Sequence, residues 1–291
     1  MPTVTTAMLR SAPMSVALSD DTWTENRPSR GLRGFDFREL WRYREVAYLL
    51  AIRDLKLRYK QTFFGVAWAV LQPLAAMGIF ALVFGRLTHV PSEGVPYAVF
   101  VYAGLAFWFY TSTSVTSAAE SLADNRDLVT KIYFPRMLAP LAAVSPALLD
   151  LAVSLAVVFV LIALYGVAVT PALLLLPLWI LGVVLVALGA SLWLSALNAL
   201  YRDIRYALSF VLQLWLFTSP VIYPSSLFHA GGRAVYAINP MVGLLDGMRW
   251  SLIDTPAPGR YALISLAGGV LLLLSGAMYF RHVERRFADH V

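Results

Sequence analysis

The stretch RDLKLRYKQTFFGVAWAVLQP, residues 53–73, decides how this chain is read. Its first eight residues carry Arg53, Asp54, Lys56, Arg58 and Lys60, and the remaining residues carry no charge. A charged, helix-like run thus passes without a loop into an apolar run suited to a bilayer. The pattern predicts a membrane protein, an inside-facing amino terminus and a surface helix that feeds the first span.

Composition agrees with that reading. The 291 residues are 59% hydrophobic and 14% charged, against about 25% charged in ordinary soluble domains. Lysine and arginine exceed aspartate and glutamate by 23 to 17. In an apolar chain this excess points to positive cytoplasmic loops rather than to nucleic acid. Cysteine is absent from the sequence, which excludes disulfides, thiolate metal sites and a cysteine nucleophile. Residues 1–35 are polar and rich in Thr, Ser, Arg and Pro, the composition of a disordered cytoplasmic tail. The patch 12–18 is too short and interrupted for a signal-peptide core.

Six apolar stretches have the length of a crossing: 64–84, 97–118, 138–165, 171–197, 206–223 and 261–280. The fifth is the shortest. Upstream of the first stand Arg38, Arg42, Arg44, Arg53, Lys56, Arg58 and Lys60. Arg126, Lys131 and Arg136 follow the second, Arg202 and Arg205 the fourth, and Arg281, Arg285 and Arg286 the sixth. The other side holds Arg86, Arg233, Arg249 and Arg260. The positive-inside rule therefore predicts both termini in the cytoplasm.

Two further segments are amphipathic or unusually apolar. Phe37, Leu40, Trp41, Tyr48, Ala51, Ile52 and Leu55 recur at three and four spacing, which suits an interface helix over 36–62. Between the last two stretches, Asn239 and Pro240 read as a helix cap and a first-turn proline. The run 241–253 is too short to cross, so a re-entrant segment over about 225–255 is expected. Asp246 and Arg249 lie three apart on it and are expected to pair.

Several chemistries are missing. No Gly-Lys-Ser/Thr triplet surrounds Lys56, Lys60 or Lys131, so no phosphate loop of that kind is encoded. The four histidines, His89, His229, His282 and His290, have no metal-ligand spacing, and no Gly-x-Ser-x-Gly elbow occurs. Asp150 is the one acid deep in a predicted span. Without a basic partner in a neighbouring span it is poor material for a proton relay, and a structural role is expected.

The ordered segments RDLKLRYKQTFFGVAWAVLQP (53–73), VYAGLAFWFYTSTS (101–114), NRDLVTKIYFPRMLAPLAA (125–143), LNALYRDIRYALSFVLQLWLFTSPVIYP (197–224) and NPMVGLLDGMRWSL (239–252) carry a family. The chain resembles the membrane permeases of type-2 ATP-binding-cassette exporters, and within them the polysaccharide branch that moves O-antigen, capsule and teichoic-acid polymers. The resemblance runs over about 37–286.

It implies an all-α membrane protein with six transmembrane helices, an N-terminal amphipathic interface helix and a re-entrant helical hairpin before the last span. The implied permease domain is 63–286, followed by a cytoplasmic end at 287–291. It implies a second copy of the chain, two ATP-binding-cassette ATPase subunits holding ATP and magnesium, and a lipid-linked glycopolymer as substrate. The implied location is the bacterial inner membrane. No catalytic, cofactor or metal residue is expected on this chain.

Two sets of residues follow. Asp124, Asn125, Arg126, Asp127, Lys131 and Arg136 form a charged loop in which Asp124 or Asn125 caps a short helix that Pro135 ends. In the family the equivalent loop couples to the ATPase. Tyr201, Arg202 and Asp203 are the second expected contact. For a sugar polymer, aromatic rings offer stacking and polar groups offer hydrogen bonds. Trp68, Gln72, Phe107, Trp108, Tyr110, Gln213, Trp215 and Tyr223 are the expected path residues. Pro73, Pro140, Pro146, Pro177 and Pro220 mark kinks or breaks. The competing readings are a type-2 permease for a small hydrophobic drug or lipid, an ion-coupled carrier, which paired intramembrane charges would mark, and a membrane-bound glycosyltransferase, which clustered loop acids would mark.

Overall fold

A bilayer offers no water to backbone N–H and C=O groups, so an apolar crossing segment satisfies them within itself as a helix. All regular structure among the described residues is helical. The computed structural model describes residues 37–60, 65–125, 134–201, 203–228 and 235–284. The expected tail 1–35, the carboxy-terminal end 287–291, and Arg126, Asp127, Lys131 and Arg202 lie outside the described residues.

Helices α1 (Phe37–Arg42) and α2 (Arg44–Lys60) occupy the segment expected to be an interface helix. Glu45 stands in the first turn of α2, and Arg58 and Lys60 in the last, each at the end of the dipole that suits its charge. The apolar side of α2 does not lie free. Leu50 is buried with Phe134, Leu138 and Ala142, flanked by Val46, Ala47 and Ala51.

The passage expected to be unbroken runs through residues 61–64, which lie outside the described residues, and α2 is described as far as Lys60. Gly65 then takes φ +50°, a left-handed conformation that costs glycine little because it has no Cβ. A single 3-10 turn, Gly65–Ala67, leads into α3 (Trp68–Phe80), which continues as a π-helical stretch over Ala81–Leu87.

Helix α4 (Tyr97–Asp124) is the core of the bundle, with most of its side chains buried. Helices α5 (Leu138–Ala143) and α6 (Ser145–Tyr165) follow each other through Val144. After a 3-10 turn at Pro171–Leu175 come α7 (Leu176–Leu200) and α8 (Ile204–Phe217), then α9 (Pro240–Ile253) and α10 (Tyr261–Glu284). Helix α7 packs along both α4 and α10.

Among the described residues, five stretches are long and apolar enough to cross a membrane: Trp68–Leu87, Tyr97–Asp124, Leu138–Tyr165, Pro171–Leu200 and Tyr261–Glu284. Each overlies a predicted span. The stretch expected at 206–223 does not qualify. At 1.5 Å per residue, the 14 residues of α8 extend about 21 Å, against a hydrocarbon core of about 30 Å. At the end of α8, Thr218 Oγ1 donates to the carbonyls of Leu214 and Trp215, and Pro220 beyond has no N–H to carry a ladder forward.

The predicted cap of α9 forms as read. Asn239 Oδ1 accepts from Met241 N at 3.1 Å, with Pro240 at the first helical position. The same oxygen accepts from Trp215 Nε1 at 3.1 Å, and Asn239 Nδ2 donates to Thr218 O and Ser219 Oγ. One side chain thus caps α9 and ties it to the broken end of α8. Asn239→Ala is expected to cost about 1–2 kcal/mol, the upper range for a lost cap. Thermal unfolding of the purified chain in detergent checks it; an unchanged midpoint would contradict the role.

Candidate functional site

Two groups of side chains gather at opposite ends of the bundle. At the first end lie the carboxy ends of α4, α7 and α10, the start of α5, and α2. Asp124 is the last residue of α4 and Asn125 follows it. Asn125 Nδ2 donates to Ser121 O at 2.7 Å, so this side chain closes α4; the short helix it was expected to begin falls in the undescribed segment. Arg136 contributes its backbone N–H to Glu284 Oε1 at 3.1 Å, joining the loop to the end of α10. Tyr201 is exposed and caps α7 through its N–H to Leu197 O, while Asp203 precedes α8.

Three contacts that the sequence did not disclose hold this end together. Arg205 Nε pairs with Glu120 Oε1 at 2.9 Å, and Asn198 Nδ2 donates to Ala119 O at 2.7 Å. They tie the end of α4 to the turn between α7 and α8. The third involves Asp150 on α6. Its Oδ2 accepts from Arg58 Nη2 at 2.6 Å, and its Oδ1 accepts from Tyr59 Oη. The basic partner that no neighbouring span supplies comes from α2. Burial and the hydrogen bond to Asp150 push the Tyr59 phenol up to about 12, so it remains a donor at any physiological pH.

Beside Asp150 is a cavity of about 220 Å³. Trp68, Gln72 and Tyr110, three of the expected path residues, line it together with Thr113 and Ser154. Trp68 is 52% exposed and Gln72 is exposed, whereas Tyr110 presents only its edge from the core. Phe107 is 0% exposed and packs inside the chain. Gln213 is exposed on α8, apart from this cavity.

The other expected path residues sit at the opposite end. Trp108 meets Trp215 edge-on, ring centroids 5.8 Å apart. Tyr223 donates to Phe217 O at 2.7 Å and accepts from Tyr236 Oη at 3.0 Å; Phe228 packs against both rings. A second cavity of about 120 Å³ lies here, lined by Glu93, Ser225, Tyr236, Asp246, Arg249 and Tyr261 among others. Glu93 accepts from Ser226 Oγ across it.

The Asp246 and Arg249 side chains share that cavity but take separate hydrogen-bond partners. Asp246 Oδ2 accepts from Ser225 Oγ at 2.5 Å. Arg249, 1% exposed, donates to the carbonyls of Phe100, Pro220 and Val221 at 3.3, 2.5 and 2.6 Å and stands 3.7 Å over the Phe100 ring. The non-helical segment after α8 presents carbonyl oxygens to Arg249, and a multi-armed donor satisfies them together.

The comparisons with known proteins bear on what these ends do. The profile of the family described as ABC-2 type transporter matches residues 45–253. The chain is 33% identical over 258 residues to an O-antigen export system permease protein RfbA of Myxococcus xanthus, covering 87% of this chain and 98% of that protein. Two proteins of the same description from Klebsiella pneumoniae are 27% and 26% identical, each match covering 84% of this chain and 94% of the relative.

Proposed function

The chain belongs to the ABC-2 type transporter family, and we propose that it is the permease subunit of an ATP-driven exporter that moves a polysaccharide, lipid-linked in the form it is carried, out of the cytoplasm. The observation that carries the substrate class is the near full-length likeness to relatives named as O-antigen export permeases. Two copies of the chain work with two separate ATPase subunits that hold ATP and magnesium. The protein is a multi-pass protein of the bacterial inner membrane, with both termini in the cytoplasm. In this reading α8 and the residues after it complete a sixth crossing, and the segment ending in α9 is re-entrant.

The geometry supports a division of labour. The end that carries Asn125, Arg136, Glu120, Arg205 and α2 is rich in charge, and Glu284 and Glu120 tie it together through bonds to Arg136 and Arg205. It is the end on which an ATPase acts. The cavity with Trp68, Gln72 and Tyr110 and the aromatic group around Trp215 and Tyr223 mark the two ends of the sugar path. Rings of this kind stack on the CH faces of sugars, and the adjoining hydroxyl and amide groups bond their hydroxyls.

Deleting the gene in its host tests the substrate: surface polysaccharide disappears and the lipid-linked polymer accumulates inside. Unchanged surface polymer with new sensitivity to hydrophobic drugs would favour the small-molecule alternative instead. Charge reversal at both Arg126 and Lys131 is expected to leave membrane insertion intact while ATP hydrolysis no longer drives export. Undiminished export in that variant counts against these residues as the ATPase contact.

A further inference from the structure

We propose that Asp150 is a positioning residue for export: with Arg58 and Tyr59 it locks α2 to α6, so that a movement of α2 is delivered to the third span rather than to the span that follows α2 in sequence. The proposal rests on the reading of the chain as an ATP-driven permease.

What α2 is attached to decides where its movement goes. Its covalent route into α3 is not a continuous helix, since Gly65 sits at φ +50°. A push along α2 therefore has no helical rod to follow into α3. Its lateral attachments are firmer. On the apolar side, Leu50 is buried against Leu138 and Ala142 of α5, which leads directly into α6. On the polar side, both Asp150 oxygens are engaged, one by Arg58 and one by Tyr59.

Two bonds from successive α2 residues to one carboxylate fix rotation as well as distance, which a single bond would not. Arg58 and Asp150 are 34% and 16% exposed, so water competes weakly for the pair. A carboxylate this deep in a crossing helix stands only with partners, and they come from α2.

Helix α6 also holds α3. One turn beyond Asp150, Ser154 Oγ donates to Ala69 O at 3.3 Å. The first span is thus tied to α6 near its start, while α6 itself is tied to α2. The cavity of about 220 Å³ lies between these attachments, walled by Arg58, Tyr59, Trp68, Gln72, Tyr110, Asp150 and Ser154. Its presence gives α2 and α6 room to shift together, and such a shift moves the cavity wall opposite Trp68 and Gln72.

The chain lacks cysteine, so spin labels can be placed at will in the intact chain. Leu57→Cys on α2 and Val160→Cys on α6, both exposed, are labelled in host membranes containing the transporter's own ATPase, diluted with unlabelled chain. The expected result is a narrow α2–α6 distance distribution in both nucleotide-free and ATP-bound states. In Asp150→Asn the distribution broadens and export falls roughly tenfold, the size of a lost coupling contact. Arg58→Asp combined with Asp150→Arg, which rebuilds the ion pair without the Tyr59 donation to a carboxylate, recovers both in part. If Asp150→Asn does not accumulate, Tyr59→Phe keeps the ion pair and is expected to broaden the distribution and lower export by roughly two- to fivefold.

An unchanged distance distribution in Asp150→Asn, or in Tyr59→Phe where that variant stands in, overturns the lock. A broadened distribution with undiminished export overturns its role in transport, as does a charge swap that restores the distance but not export. A wild-type chain that exports no polysaccharide faults the functional reading, and the distances then still decide the lock.

Discussion

Replacing Arg249 with methionine is expected to lower the stability of the folded chain by about 2–4 kcal/mol, the cost of leaving buried carbonyls without their donor. Methionine nearly fills the volume but has no donor. The carbonyl of Phe100 lies within α4 and keeps the helix N–H four residues on. The carbonyls of Pro220 and Val221 lie outside any helix and accept from Arg249 at 2.5 and 2.6 Å. Each becomes a buried acceptor without its partner, at about 1–3 kcal/mol apiece. Lysine is expected to be intermediate, because a single ammonium cannot follow the fork that reaches Phe100, Pro220 and Val221 at once.

The site has little slack for repair. A Cβ on Gly104 would sit 2.4 Å from Arg249 Nη2 and 2.7 Å from the Val221 carbonyl oxygen. Gly104→Ala is therefore expected to displace the same guanidinium and to add little to Arg249→Met in the double variant. Thermal unfolding in detergent of the two single variants and the double checks both points. Full additivity would mean that Gly104 acts elsewhere.

What the sequence disclosed and what it hid divide along a physical line. Local signals were readable. The long apolar stretches, the Asn239–Pro240 cap and helices across most of 36–62 all formed, because each depends on residues within a turn or two of one another. Two local signals left more open. Charged run and apolar run looked continuous at 53–73, but Gly65 takes a non-helical φ of +50°. The stretch 206–223 had enough apolar residues, but its helix covers only Ile204–Phe217.

The site was legible as residue types and not as partners. Trp68, Gln72 and Tyr110 do meet at one cavity, while Phe107 on the same aromatic helix faces the core. Helical phase alone does not say which face of an all-apolar helix is the inner one. Asp150 stood out as a lone intramembrane acid, and its partners proved to lie 91 and 92 residues away, on the helix before the first span. No spacing rule links such positions. The same holds for Arg249, whose partners are backbone carbonyls that leave no trace in the sequence.

Gly189→Ala is the second large effect, and its sign separates two opposing terms. In a helix, alanine is favoured over glycine by about 1 kcal/mol. At Gly189 on α7, however, a Cβ would stand 2.6 Å from Leu273 N and 2.7 Å from Leu272 C, both main-chain atoms of α10. Gly276 on α10 shows the reciprocal contact, its Cβ 2.6 Å from Gly189 O. Main chain cannot rotate aside as a side chain would, so the helices must part. One turn further along, Trp193 stacks on Tyr279 at 4.2 Å and its Nε1 donates to Ser275 Oγ; a parted pair loses these as well.

Overpacking of this kind costs about 1–3 kcal/mol or more, and between bilayer helices close packing is a main source of association. The clash therefore outweighs propensity, and Gly189→Ala is expected to lower the unfolding midpoint in detergent, with Gly189→Leu leaving little folded chain. Gly78 on α3 supplies the opposite case. Nothing lies within 4 Å of its Cβ position, so Gly78→Ala is expected to gain up to about 1 kcal/mol from propensity alone. A midpoint that rises in Gly189→Ala as it does in Gly78→Ala would mean that the α7–α10 contact is looser than these distances require.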